Sequence, residues 1–403
     1  MLDRRRDAAA AAWNLSDGVV LVEAGHAVPI PGRGDPTYPF RAHSEYFWLT
    51  DRERPGGVVA YDPAQGWVEF VDPVTTQELL WTGLEGDREG VPDGTRPLDE
   101  LAAFVGGRTP RRLGATPDPD TELRDALIRV RRPKDDDELA RMRTAVAATA
   151  AGFDELRSLI AAGRTERELQ VMLESAFMRN GGDFLSFETI VAAGDHAAVL
   201  HFSPTLRELQ DGQVLLVDAG AEHRGYAADV TRTYAVGGSF DAEQHVAFTA
   251  VRQALDDAIA LCRPGVRWGD VHRAASLAIA DGLVELGVLQ GDRESLVDSG
   301  AVRLFFPHGV GHMVGLGVRD AGAASDEPSS PGLRLDIPLE PRHAWTVEPG
   351  LYFVAPLLAQ ERGHEAVNWE RVDELLGFGG VRIEHDVVIT DDGCDVLTSA
   401  IPI

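Results

Sequence analysis

Cysteine is nearly absent from this chain: Cys262 and Cys394 are its only two, and neither belongs to a CxxC pair. That excludes a disulfide framework and a structural Cys/His zinc site. One long-range bridge stays open, and two free thiols in a reducing cytosol are the simpler expectation. Long apolar runs are also missing, with nothing near the ~18 residues of a membrane span. Positive charge is in short supply, 38 basic against 65 acidic residues for a net −27, and such a surface repels phosphate backbones and anionic lipid. Nucleic acid and membranes are therefore not expected partners. No GxSxG elbow and no Walker A loop occur, and GVGHMVG lacks the GxGxxG spacing and a strand leading into a helix. The start, MLDRRRDAAAAAWNLSDG, has too short an apolar stretch for a signal peptide and reads as a surface helix, so a cytoplasmic location is expected.

The chain's 403 residues exceed one typical domain and bury enough surface to fold without a staple. Residues 18–124 carry short apolar runs (VVLVE, PGGVVAYD, WVEFVD) broken by Pro, Gly and Asp, the texture of a small mixed α/β domain. In LIRVRRPKDDDELARM, Pro133 disfavours helix at Arg132, and Asp135–Asp137 supply N-cap chemistry. The boundary is placed there, with domains at 1–125 and 126–403. A helix is expected through ELARMRTAVAATAAGFDELRSLI up to Gly163, and a second from the capping box Thr165/Glu168 to Gly181. Beyond it, strand signals alternate with helices near 242–261 and 268–287, and 321–342 reads as a long loop.

Acids at strand ends carry the chemistry. VLLVD ends in Asp218, and Asp229 follows eleven residues later between Ala228 and Val230, with Gly220 and Gly225 permitting a hairpin between them. Two carboxylates aimed into an interior cannot both stay ionised without a cation, since each buried ion costs on the order of several kcal/mol. A surface hairpin with solvated acids is the alternative, and the apolar flanks speak against it. In PHGVGHMVGLGVRD the four glycines make a helix through His308 and His312 costly, so an irregular stretch or strand approaching a site is expected. WTVEPGLYF places Glu348 after apolar Trp345 and Val347. GGVRIEHDVVIT places Glu384 in a strand beside Arg382, which could simply pair with it. Four carboxylates and one imidazole form an oxygen-rich set suited to two divalent ions such as manganese, cobalt or zinc.

These motifs resemble, in order and over residues ~126–403, those of the pita-bread metallopeptidases: Xaa-Pro aminopeptidase, Xaa-Pro dipeptidase (prolidase), methionine aminopeptidase and creatinase. The resemblance implies an α+β chain in which a C-terminal pita-bread domain follows a smaller mixed α/β domain, the latter signalled by YPFRAHSEYFWLT. It implies two divalent ions, manganese first, on Asp218, Asp229, His312, Glu348 and Glu384, with Asp229 and Glu384 bridging. It implies Glu348 as general base, His201 and His308 at the substrate, and Tyr352 and Arg382 holding the carboxylates.

Local stretches such as LYFVAPLLAQERGHEAVNW resemble bacterial prolidase, and Arg334, fourteen residues before Glu348, matches the arginine that grips a dipeptide's carboxylate there. An Xaa-Pro dipeptidase acting on small peptides, as a homodimer, is the first expectation. The alternative is an Xaa-Pro aminopeptidase acting on longer peptides, and a metal-free peptide-binding module is more remote. One position departs from the family: Arg319-Asp320 stands where His-Asp is usual. A guanidinium there donates hydrogen bonds but shuttles no proton near neutral pH.

Overall fold

The computed structural model describes residues 1–403 apart from 83–89, 91 and 331. The chain divides into two compact units, Met1–Arg131 and Arg132–Ile403. In the first, β1 (Val20–Glu23), β2 (Val58–Asp62), β3 (Gly66–Val71), β4 (Arg96–Pro97) and β5 (Arg111–Gly114) form one sheet in the order β4-β3-β2-β1-β5. β1 lies antiparallel to β2 and parallel to β5, so the sheet is mixed. Its core gathers Leu21, Val58, Ala60, Phe70 and Phe104. The opening helix, Leu2–Trp13, buries Arg5, Ala9 and Trp13. That i, i+4, i+8 stripe packs inward while Asp3, Arg4, Asp7, Ala8, Ala11 and Ala12 stay exposed, so the expected surface helix forms with one buried face.

The second unit opens with helices Asp136–Arg157 and Glu166–Arg179, each started by a complete capping box, Asp135 with Glu138 and Thr165 with Glu168. The first stops at Arg157, short of Gly163. Helices Ala242–Leu261 and Trp268–Glu285 follow as expected to within two residues. The described part of 321–342 holds neither helix nor strand.

The strands are β6 (Phe184–Leu185), β7 (Ile190–Ala193), β8 (Val214–Ala219), β9 (Ala221–His223), β10 (Tyr226–Ala227), β11 (Val230–Ala235), β12 (Ala344–Val347), β13 (Gly350–Tyr352), β14 (Gly380–Arg382), β15 (His385–Ile389) and β16 (Cys394–Val396). They pair as β11-β8-β7, β10-β9-β6, β12-β15-β16 and β13-β14, which gives the α+β architecture read from the motifs. Cys262 and Cys394 are both free.

Two packing details place the site. Among the chain's 38 basic residues Lys134 is the sole lysine. It is fully buried, and its Nζ lies 2.8 Å from Asp320 Oδ2. Asp320 also accepts from the Leu316 N–H at 3.0 Å, and its own N–H donates to Met313 O at 3.1 Å, so the turn after the histidine stretch is pinned. At the hairpin, a side chain on Gly220 would put Cβ 1.8 Å from Ala228 O. Only glycine lets the backbone leaving β8 pass that close to the segment entering β11.

Gly220→Ala is therefore expected to lower stability by about 2–4 kcal/mol in urea unfolding. Gly377 has open space around its Cβ position and no positive φ, so Gly377→Ala should stay within about 0.5 kcal/mol of the parent. Equal midpoints for the two variants would contradict this account of the hairpin.

Candidate active site

Asp218 sits in β8, where it pairs in register with Thr231 of β11. The other three carboxylates occupy strand interruptions: Asp229 just before β11, Glu348 between β12 and β13, and Glu384 between β14 and β15. For Glu384 this replaces the strand-interior position expected from its β-rich surroundings. A break in the ladder lets a side chain leave the strict alternation of the pleat and turn towards a common point. Asp218, Asp229 and Glu384 do converge, each offering an oxygen within 4.8 Å of the others, all buried.

His312 completes the cluster from the irregular stretch, which two isolated bridges, Tyr226 with Leu316 and Met313 with Trp345, stitch to the strands. The His312 N–H donates to Thr346 Oγ1 at 3.0 Å, the Thr346 N–H returns to His312 O at 2.8 Å, and the Glu348 N–H donates to Val310 O at 2.7 Å. His312 Nδ1 lies 3.1 Å from Met313 O, a carbonyl that can only accept, so Nδ1 carries the proton. The Nε2 lone pair then faces Asp229 Oδ2 at 3.5 Å and Glu348 Oε1 at 3.7 Å. Burial pushes His312 down to about 4, so the ring is neutral near pH 7.

This electrostatic arrangement is unfavourable by itself. Burial, then the neighbouring acids, hold Asp229 and Glu384 well above the usual carboxylate range. Burial also raises Glu348 to about 7. Asp218 Oδ1 is buried with no hydrogen-bond partner among the described residues. A lone pair aimed at carboxylates, an orphaned oxygen and crowded acids all match a site that takes cations.

Arg382 is drawn to the cluster but not to Glu384: Nη2 donates to Asp218 Oδ2 at 2.7 Å, Nε to Thr231 Oγ1 at 3.0 Å and Nη1 to Tyr352 Oη at 2.9 Å. Glu384 Oε2 instead accepts from the Thr231 hydroxyl at 2.8 Å. His308 Nδ1 sits 2.8 Å from Gly309 O and Nε2 2.9 Å from Tyr352 Oη. Nδ1 therefore donates to the carbonyl, and Nε2 accepts from the phenol. Burial holds His308 at about 3.

All of these carboxylates line one cavity of about 830 Å³, together with His201, His308, His312, Arg319, Arg334 and Arg382. Trp268 and Trp345, stacked with ring centroids 4.3 Å apart, Met313 and Leu335 add an apolar wall. Tyr352 stands behind, fully buried. Thr231, Thr346 and Asp386, whose Oδ2 accepts from the Asp229 N–H at 3.0 Å, went unnoticed in the sequence. The alternation Asp229, Thr231, Thr233 was the one signal available for Thr231.

Beyond geometry, residues 140–391 match metallopeptidase family M24 and residues 2–96 match the aminopeptidase P N-terminal domain. The chain is 30% identical to a probable Xaa-Pro aminopeptidase of Botryotinia fuckeliana, over 96% of this chain and 90% of that one. It is equally identical to one of Coccidioides posadasii, over 98% and 93%. Among solved structures it resembles aminopeptidase PepP of Pseudomonas aeruginosa, with a TM-score of 0.83 and 29% identity, covering 100% of this chain and 95% of that one. It also resembles aminopeptidase P of E. coli with the inhibitor Pro-Leu, at 0.81 and 27%, with 100% and 95% covered. These relatives favour the aminopeptidase alternative over the prolidase expectation.

Asp386, buried and raised to about 8, and Glu348, at about 7, bind protons in the folded metal-free chain that an unfolded carboxyl near 4 has already released. The folded state holds more protons, so stability falls as pH rises through that range. Chelator-treated protein should melt at a lower temperature at pH 9 than at pH 7, and Asp386→Asn should flatten the slope. A melting temperature that climbs over that interval would contradict the shifts.

Proposed function

The chain belongs to metallopeptidase family M24, and from that premise we propose that it is an Xaa-Pro aminopeptidase, removing the residue before proline from peptides longer than a dipeptide. The observation that carries this reading is the buried meeting of Asp218, Asp229 and Glu384 beside His312 and Glu348, in a cavity large enough for a short peptide. These five residues would hold two divalent ions, manganese first and cobalt or zinc as alternatives. A zinc-substituted form is known for the E. coli relative. When bound, the ions supply polarisation of the scissile carbonyl and a lowered pKa for the attacking water.

The chain's own groups do the rest. Glu348, raised to about 7 by burial, is poised to take a proton from water and return it to the proline nitrogen. His308 has both ring nitrogens engaged, so its task is to orient Tyr352 rather than to donate to an oxyanion. Arg382 and Tyr352 fix Asp218. His201, exposed at the cavity, contacts the peptide. Arg319 and Arg334 line the same cavity and offer guanidinium donors, Arg319 to the oxyanion and Arg334 to the leaving segment. The acidic end of the cavity receives the substrate's free amine. The reading extends to a cytoplasmic homodimer, with sedimentation as its check.

With manganese present, Ala-Pro-Pro should be cleaved at a kcat/KM at least equal to that of Ala-Pro. Preference for the dipeptide would return the assignment to prolidase, and no hydrolysis of either would remove it. Glu348→Gln should lower kcat by about 10²–10⁴-fold, the span of a general base. Thr231→Val should weaken metal affinity by about tenfold or more, as removal of a ligand's hydrogen-bond partner does. Unchanged affinity would deny Thr231 that part.

A further inference from the structure

The chain's two thiols, far apart in sequence, meet in the fold. Cys262 closes the C-terminal end of helix Ala242–Leu261. Cys394 opens β16, the outer strand of the β15–β16 hairpin, where it pairs with Ile389. The Ile259 carbonyl marks their meeting point: it accepts from the Cys262 N–H at 3.0 Å and lies 3.8 Å from Cys394 Sγ. Cys262 Sγ lies 3.4 Å from Ala258 O, one residue earlier on the same helix. The two sulfurs hydrogen-bond one another, and Cys394 packs against the core cluster that contains Cys262. The chemistry proposed for the cavity uses neither.

Their surroundings differ. Cys262 is buried at 1% exposure, whereas Cys394 is partly exposed. The shared hydrogen bond holds Cys394 below the ordinary thiol value, and that bond together with burial holds Cys262 well above it. One sulfur is therefore the accessible nucleophile, and the other waits beside it as a resolving thiol. Cys394 also stands in the run DDGCD, with Asp391, Asp392 and Asp395 exposed, and Arg143 at 3.6 Å offsets only Asp395. Such a field turns away anionic disulfides such as that of glutathione and admits a small neutral oxidant.

We propose that Cys262 and Cys394 are a modification site at which hydrogen peroxide forms a reversible disulfide. The Cys394 thiolate attacks one peroxide oxygen, the O–O bond breaks, and the departing hydroxide takes up a proton to become water. Cys394 is then a sulfenic acid. The Cys262 sulfur attacks it, the S–O bond breaks, and a second water leaves with the Cys262 proton. Two thiols lose two electrons, and one peroxide is reduced to two waters. The bond ties the end of the helix to the hairpin whose first strand starts one residue after Glu384. It also closes a long loop in the unfolded chain, which favours the folded state. Neither cysteine lines the cavity, so the inference stands or falls apart from the peptidase reading.

The test uses the full chain, reduced, freed of reductant and then exposed to hydrogen peroxide. Peptide mapping by mass spectrometry should find Cys262 and Cys394 in one linked species lighter by two hydrogens. Thiol titration in denaturant, which reads both cysteines beforehand, should read neither afterwards, and dithiothreitol should restore both. The urea midpoint should rise on oxidation and fall back on reduction. In Cys262→Ala, Cys394 should be trapped by dimedone as the sulfenic acid; in Cys394→Ser, Cys262 should keep its thiol and the midpoint should not move with peroxide.

The parent protein decides the matter by itself if either variant fails to fold. Sulfinic acid on Cys394 with Cys262 still a thiol, bridges only between molecules, or two thiols that persist in peroxide would each overturn the proposal. Faster bridging by glutathione disulfide than by peroxide would overturn it as well.

Discussion

Like charges crowded out of water govern this molecule. Asp218, Asp229 and Glu384 present oxygens within 4.8 Å of one another, Glu348 joins them through His312, and among the described residues Arg382 is the single cation bonded directly to the group, through Asp218. One guanidinium cannot balance four acids. Burial and mutual repulsion push Asp229, Glu384 and Glu348 above the usual carboxylate range, and crowded acids of this kind suit divalent cations. The close passage at Gly220, the threonine hydroxyls at 231 and 346 and the backbone bond from Asp229 to Asp386 all serve to hold these groups together against their repulsion.

The strands and capping boxes were legible in the sequence because they rest on local chemistry. Thr165 and Glu168 sit at the spacing of a box, and VLLVD alternates with nothing polar until its acid. The set of converging side chains was legible too, since acids in apolar surroundings need a reason to be there. What stayed hidden depends on partners distant in sequence. Arg382 lies two residues from Glu384 yet bonds to Asp218, 164 residues away, and Thr231 reaches Glu384 across 153. No window on the chain shows either. The turn of Glu384 out of regular strand was missed for the same reason, because β14 and β15 belong to different sheets and propensity alone reads them as one run.

The choice between two peptidase branches turns on another level of comparison. Arg334 and the residues after Glu348 invited comparison with prolidase, but a loop arginine and one short stretch weigh little against likeness over nearly the whole chain to aminopeptidases. The same arginine acquires a different sense in three dimensions. With Arg319 it lines the cavity that holds the four carboxylates.

The ion pair of Lys134 with Asp320 carries a consequence for handling the protein. Since the chain's sole ε-amine is sealed inside the second unit, acylating dyes and amine cross-linkers find no lysine on the folded surface. Reagent uptake at that position thus becomes a clock for transient opening of the turn that carries Arg319.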